Sequence, residues 1–293
     1  MLCAAIDIGS NTTRVLVAEP EDGQLRGVMD QKAFTRLGQA TGDDGAIAAE
    51  KVAEVADAVA TQVRLAEELD ADAIRIVATA AVREAANRDD VADEITKACG
   101  LPVEILSEEE EGRLAFIGAT RTLGHVVDGE VAVVDVGGGS TEIVLGSLAG
   151  GVHSVSSFKL GSGSLTDRFL TGDPPPAAEI RALREHVDAA FEGVAVDPPR
   201  QAVAVGGSAT SLRSLVGSVL EYETLERAIR VLTGDPIADV AKRFELDPRR
   251  VRMLPAGVLV LEKVSGLLGC PLQIGKGALR DGVILDLLAA SRT

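Results

Sequence analysis

The chain has no tryptophan, one tyrosine and six phenylalanines, so aromatic residues make up only 2% of its 293 positions. Its core must therefore be aliphatic. Cysteine is equally scarce. Cys3, Cys99 and Cys270 lie far apart and form no CxxC, which argues against a disulfide framework or thiolate metal site and for small buried hydrophobes in a reducing compartment. His125, His153 and His186 are isolated, so no histidine metal centre is expected. Basic charge is in deficit, with 29 Lys and Arg against 45 Asp and Glu for a formal net charge of −16. A field of that sign disfavours nonspecific nucleic acid and anionic membranes. An anionic substrate would have to be held locally, by arginines, backbone N–H groups or a metal. No apolar run approaches the roughly 18 residues of a membrane span, and the N-terminus reaches Asp7 without the regions of a signal peptide. A soluble, cytoplasmic protein is expected.

What is present reads as α/β. Hydrophobic residues are 46% and charged residues 25%, which excludes a disordered tail. At roughly 100–200 residues per domain, the length predicts two domains. Ala4–Ile8 is a short apolar run ending in a Gly-Ser-Asn turn, and Thr13–Ala18 resumes it, a hairpin signal. Helical periodicity over Ala46–Leu69, a strand at Ile74–Ala78, a helix from a capping Asn87 to Ala98 stopped by Gly100, and a strand at Val103–Leu106 follow. The pattern then restarts. Asp7-Ile8-Gly9-Ser10-Asn11-Thr12 and Asp135-Val136-Gly137-Gly138-Gly139-Ser140-Thr141 are both strand, Asp, apolar, Gly and small polar turn. They lie about one domain length apart, which predicts an internal duplication. Helices are expected at Ala177–Glu192, Ala209–Leu220, several times between Thr224 and Leu268, and near Leu279–Ala290, with a strand at Leu272–Ile274.

Several residues in this frame could carry chemistry. Glycines in the two Asp-x-Gly hairpins let N–H groups approach phosphate oxygens, and an Asp at each strand end suits Mg²⁺ held largely through waters. One such hairpin alone is an ordinary turn; a pair at domain spacing is less ordinary. Val203-Ala204-Val205-Gly206-Gly207-Ser208 runs from a strand into a helix N-terminus, where anions bind. Ser107 with Glu110 fits a capping box. Capping and the helix dipole account for Glu108, Glu109 and Glu110, and less well for Glu111. Arg83 follows a strand end, where α/β sheets place ligands, and its planar fork suits phosphate. Arg14 has the same chemistry.

In chain order, Asp7–Arg14, Ala78-Thr79-Ala80-Ala81-Val82-Arg83, Glu110-Glu111-Gly112-Arg113-Leu114, Asp135–Glu142, Gly206-Gly207-Ser208-Ala209-Thr210 and Gly277-Ala278-Leu279-Arg280-Asp281-Gly282 resemble the exopolyphosphatase and guanosine pentaphosphate phosphohydrolase family in a short two-domain form. The motifs cover essentially the whole chain. The resemblance implies an α/β fold of two duplicated actin-like, ribonuclease H-like domains around a cleft. It places an N-terminal domain at 1–125 and a C-terminal domain at 126–293, with the terminal helix near 279–293 a candidate to pack back on the first. It implies that Glu111 activates or orients the attacking water and that Asp7, Asp135 and Glu142 serve Mg²⁺. Asn11, Thr12, Arg14, Arg83, Gly137, Gly138, Gly139, Ser140, Thr141, Gly206, Gly207 and Ser208 match phosphate-holding positions. One departure is Glu108-Glu109, where relatives often have Gly and a variable residue. It leaves Glu110 and Glu111 both open, with Glu111 favoured because capping occupies Glu110.

The function so implied is a Mg²⁺-dependent exopolyphosphatase releasing terminal orthophosphate from short-chain polyphosphate. The alternative is hydrolysis of guanosine pentaphosphate. A small-molecule kinase or a non-catalytic nucleotide-binding switch would be a different class. A homodimer is expected by resemblance, with neither nucleic acid nor membrane as partner. Longer relatives carry helical domains beyond the Gly277–Gly282 motif, which here lies near the C-terminus. The basic clusters are small, chiefly Arg249-Arg250-Val251-Arg252. Short substrates and distributive action are the expectation.

Overall fold

A computed structural model describes all residues except Thr41, Asp43, Gly124, Val126, Arg292 and Thr293. The chain divides into two units, Met1–Gly124 with Gly277–Thr293, and His125–Lys276.

The first unit begins with β1 (Cys3–Ile8), β2 (Thr13–Glu21) and β3 (Gln24–Ala33), an antiparallel meander. After a 3₁₀ turn at Leu37–Gln39 come α1 (Ala49–Glu68), β4 (Ala73–Ala78), the single turn α2 (Ala80–Arg83), α3 (Arg88–Cys99), β5 (Val103–Ile105) and α4 (Glu108–Arg121). β4 pairs parallel with both β1 and β5, giving the order β3-β2-β1-β4-β5. Gly100 ends α3 in the left-handed conformation at φ 77°, as a C-cap glycine should. Asn87 stands at the N-cap of α3, but its side chain makes no cap bond. Instead it accepts from the amide of Ile47 and donates to the carbonyl of the same residue, tying the loop before α1 to α3.

The second unit repeats the plan. It contains β6 (Val131–Val136), β7 (Thr141–Ser147), β8 (Gly151–Phe158), α5 (Ser162–Phe169), α6 (Ala177–Ala190), β9 (Gln201–Val205), α7 (Gly206–Val216), β10 (Val219–Leu220), α8 (Tyr222–Gly234), α9 (Ile237–Phe244), α10 (Pro248–Leu268) and β11 (Leu272–Ile274). β6, β7 and β8 form a second antiparallel meander, and β6, β9 and β11 run parallel. The order is β10-β11-β9-β6-β7-β8. Read from β8 inward, it has the sequence of pairings seen in the first sheet, with β10 added at the end. The duplication expected from the paired Asp-x-Gly segments is therefore a duplication of topology.

The final helix, α11 (Leu279–Ala290), belongs to the first unit. The second unit stops at Lys276, short of the 126–293 range expected from sequence, and the last two positions of that range lie outside the described residues. The cause is burial. Leu279, Val283, Ile284 and Leu288 of α11 join Cys3, Ala5, Leu16, Val77, Leu106 and Leu114 in an apolar cluster. The opposite face of the same sheet is covered by α1 and α3. Each fully buried aliphatic side chain contributes about 1.5–3 kcal/mol.

Candidate functional site

Parallel strands carry their ligand sites beyond their C-terminal ends. In the first unit, β1, β4 and β5 end in register, with Ile8 opposite Ala78 and Ala78 opposite Ile105. That edge receives Asp7, then Thr79 leading into Arg83, then Ser107 leading into Glu111. Ser107 caps α4 by accepting from the amide of Glu110 at 3.2 Å. Only this half of the expected capping box forms. The Glu110 carboxylate instead accepts both forks of Arg113 at 2.8 Å, which pulls its pKa below the usual carboxylate range. Glu111 is one helical step further round. Its Oε2 accepts from Arg83 at 2.6 Å, and the same Arg83 nitrogen donates to the Leu106 carbonyl at 3.0 Å. The pair is well buried, the two side chains being 14% and 13% exposed. The two adjacent glutamates are thus sorted by geometry: Glu110 braces α4, and Glu111 meets the arginine at the strand edge.

The two hairpins superimpose in their bonding. Gly9 donates to the Thr12 carbonyl at 3.1 Å, and Gly137 donates to the Ser140 carbonyl at 2.9 Å. Asp7 lies directly opposite Arg14, and Asp135 directly opposite Glu142. Opposed residues on antiparallel strands project to the same face. In the first unit the acid therefore faces a base, and Arg14 in turn lies 3.6 Å from Asp30. Asp7 Oδ1 is buried with no hydrogen-bond partner among the described residues. Burial pushes the Asp7 carboxyl up, against the opposing charges of Arg280 and Arg14.

In the second unit two acids face each other. Glu142 is buried and accepts from Ser157 Oγ at 3.2 Å. Asp135 sits at the start of α7, where a Cβ on Gly206 would lie 2.2 Å from its Oδ1. Gly206 also has φ +79°, so only glycine suits this position. The carbonyls of Gly137 and Gly138 are taken by the N-terminal amides of α5, from Ser162, Gly163 and Ser164. The successive amides of Gly138, Gly139 and Ser140 lie in this turn, which packs against Gly161 at the start of α5.

Two expected phosphate residues are placed differently. Thr141 is fully buried and its hydroxyl donates to the Leu160 carbonyl at 2.5 Å. Ser208 is buried with its Oγ against Gly257 of α10, where a Cβ would come within 2.7 Å. Both hydroxyls serve packing because they fall on the inward side of their elements. Asn11 and Thr12 lie in the first hairpin turn, half-buried, and Gly207 in the first turn of α7. One residue the motif reading did not place here is Arg250. A Cβ on Gly207 would come within 2.7 Å of its guanidinium carbon and both terminal nitrogens, so α10 lays an arginine over the α7 N-terminus. The basic run Arg249–Arg252 signalled the charge but not the destination.

The donor set suits a hard divalent cation. No group of three or more His, Cys, Asp or Glu side chains gathers among the described residues. Mg²⁺ asks for less, one or two carboxylates with water and phosphate oxygens completing its shell. The cross-strand pair Asp135 and Glu142 supplies two, and two like charges directly opposed are otherwise unfavourable.

The family model of the Ppx/GppA phosphatase family matches residues 16–291. The chain belongs to the Ppx/GppA phosphatase family. It is 31% identical to exopolyphosphatase 2 of Mycobacterium tuberculosis over 98% of this chain and 97% of that protein. The crystal structure of the Aquifex aeolicus Ppx/GppA family member covers 100% of the chain and 99% of its own, at TM-score 0.84 and 29% identity. An exopolyphosphatase from Cytophaga hutchinsonii, at TM-score 0.86 and 20% identity over 99% of this chain and 98% of its own, shows the same fold. That fold is the two-domain actin-like one, which accounts for the repeated sheet order.

Proposed function

We propose that this member of the family is an exopolyphosphatase that releases terminal orthophosphate from polyphosphate with Mg²⁺. The observation that carries the reading is the Arg83–Glu111 pair, a carboxylate fixed at 2.6 Å by an arginine that is itself anchored to a backbone carbonyl. The mycobacterial relative is named for the same substrate. Asp135 and Glu142 would hold the cation, which when bound neutralises charge on the transferring phosphoryl group. Glu111 accepts a proton from the attacking water as its oxygen bonds the terminal phosphorus and the bridging P–O bond breaks. The shortened chain leaves on the bridging oxygen. Arg83 and Arg14 bind phosphate oxygens, with the Gly138–Ser140 amides and the Gly206-Gly207 turn. Phosphoryl transfer needs little more than this positioning and neutralisation. The net charge of −16 opposes a long grip on a polyanion, which favours short chains and release after each cleavage.

The test is orthophosphate release from polyphosphate, guanosine pentaphosphate or ATP as sole substrate, with and without Mg²⁺. Glu111→Gln is expected to lower kcat by about 10²–10⁴ with KM within a few-fold, and Glu110→Gln to stay active. Release from pentaphosphate alone would move the substrate to the nucleotide. Half-maximal activity in Glu111→Gln would refute the assignment of the base.

A further inference from the structure

The Asp286 carboxylate, on α11, joins two arginines from different elements. Its Oδ1 accepts from Arg113 at 2.9 Å and its Oδ2 from Arg75 at 2.8 Å. Each arginine is bidentate to a glutamate of its own. Arg113 holds Glu110 within α4, and Arg75 of β4 holds Glu104 of β5 at 2.9 and 3.0 Å. Asp286 thus bridges α4, which carries Glu111, to the β4–β5 pair at hydrogen-bond distance on both sides, beside a longer direct Arg75–Glu110 ion pair at 4.0 Å, and β4 leads through Thr79 into the turn that carries Arg83.

The rest of the α4–α11 contact cannot do this. Gly282 lies so near α4 that a Cβ on it would be 1.9 Å from the Leu114 carbonyl oxygen. That closeness sets the separation of the helices. Apolar contact is non-directional, whereas paired guanidinium–carboxylate forks fix orientation. A rotation of α4 by about 10° would carry a carboxylate about 6 Å from the helix axis through about 1 Å. Misplacement by that much can cost about a hundredfold in rate.

We infer that Asp286 is a positioning residue for the Arg83–Glu111 pair, setting the rotation of α4 through Arg113 and its attachment to the sheet through Arg75. The inference rests on Glu111 as the base. Asparagine at 286 would keep the size, offer one acceptor oxygen and turn an NH₂ group toward the second guanidinium. Asp286→Glu restores both acceptors.

The experiment is a double-mutant cycle on polyphosphate hydrolysis using the full chain. Asp286→Asn should lower kcat roughly ten- to hundredfold with KM within about threefold, and Asp286→Glu should recover most of the loss. In a Glu111→Gln background, Asp286→Asn should change the residual rate less than about twofold, because positioning a group that is gone has no effect. Arg113→Lys, which keeps the charge and loses the fork, gives the same reading should Asp286→Asn fold poorly. A wild-type kcat in Asp286→Asn overturns the inference. So does an equal fold-loss with and without Glu111, which would mark a structural residue acting independently of the base. Glu111→Gln with at least half the wild-type rate would instead refute the base assignment, identifiable from that single variant, and the inference would fall with it.

Discussion

Gly118→Ala should damage this protein more than a methyl group usually does. A Cβ at Gly118 would lie 1.9 Å from the Ala278 carbonyl oxygen and 2.7 Å from the Gly282 amide nitrogen. Both obstructing atoms are backbone, so no side chain can rotate away. Bringing the nearer contact from 1.9 Å to an ordinary distance requires α4 and α11 to part by about 1.5 Å. A gap of 0.5–1 Å forfeits a quarter to a half of a dispersion well, and Leu114, Leu279 and Val283 all lie in the cluster between these helices. Overpacking of a core typically costs about 1–3 kcal/mol, and the opened contacts add to it. Alanine's better helix propensity returns at most about 1 kcal/mol. The clash wins, and a net loss of about 2–3 kcal/mol is expected, or roughly 4–12 °C in Tm at this size. The control is Gly266→Ala, in exposed α10 positions with nothing within 4 Å of its would-be Cβ, which should be stabilising by about 0.5–1 kcal/mol. Guanidinium denaturation of the three proteins decides it. A Gly118→Ala midpoint equal to or above that of the wild type would refute the close-packing argument.

Three further outcomes follow from the site. Arg83→Lys should lose about tenfold or more in kcat/KM, because an ammonium cannot keep contact with the Leu106 carbonyl and Glu111 while gripping phosphate bidentately; wild-type kinetics would remove Arg83 from the site. Glu142→Gln should raise the Mg²⁺ concentration for half-activity, and Mg²⁺ should raise the Tm of the wild type more than that of the variant; identical Mg²⁺ titrations would show that this pair does not hold the cation. Asp7→Asn should stabilise the folded protein, because it removes a buried carboxylate whose Oδ1 has no hydrogen-bond partner among the described residues. Burial raises the Asp7 carboxyl above its ordinary 3.8, so the folded state binds its proton more tightly than the unfolded state. Stability is therefore lost as pH rises through the folded value. Melting curves at several pH values should show the advantage of Asp7→Asn growing above pH 4, and an advantage that does not change with pH would contradict the sign.

β1 and β6 were legible because they are aliphatic runs ending in Asp-x-Gly, and the repeat was legible because both copies keep that ending. The β3 strand was not, since Gln24–Ala33 is an edge strand with most side chains exposed and no face to enforce alternation. α5 was hidden by Gly161-Ser162-Gly163-Ser164, which reads as a turn. It is a helix start because the hairpin carbonyls of Gly137 and Gly138 receive its first amides. The same kind of non-local pairing hid Arg250, brought to Gly207 from more than forty positions away. The choice between Glu110 and Glu111 could be posed from the capping pattern. It could be argued structurally only once Arg113 was seen holding Glu110, a contact three residues along the helix that the capping box had assigned elsewhere.

The duplicated hairpins differ most where it matters electrically. Their turns share the same glycine bond, and both strands end in a carboxylate. Five positions beyond the shared glycine, the first copy has Arg14 and the second Glu142. In the first unit the opposing arginine offsets the charge of Asp7, and Arg14 and Arg280 both gather around Asp30. That hairpin can present cationic donors to an anion without needing a metal. In the second unit the residue opposite Asp135 is a second acid, Glu142. Two carboxylates face each other across the strands beside the Gly137–Ser140 turn. That arrangement suits a cation shared with phosphate oxygens. If the division is correct, exchanging the charge at one position should exchange the requirement. Glu142→Arg should make the second hairpin resemble the first, raising stability without Mg²⁺ by removing the like-charge contact while abolishing Mg²⁺-dependent turnover. A variant that hydrolyses polyphosphate with the wild-type Mg²⁺ titration would show that the asymmetry between the two copies is incidental.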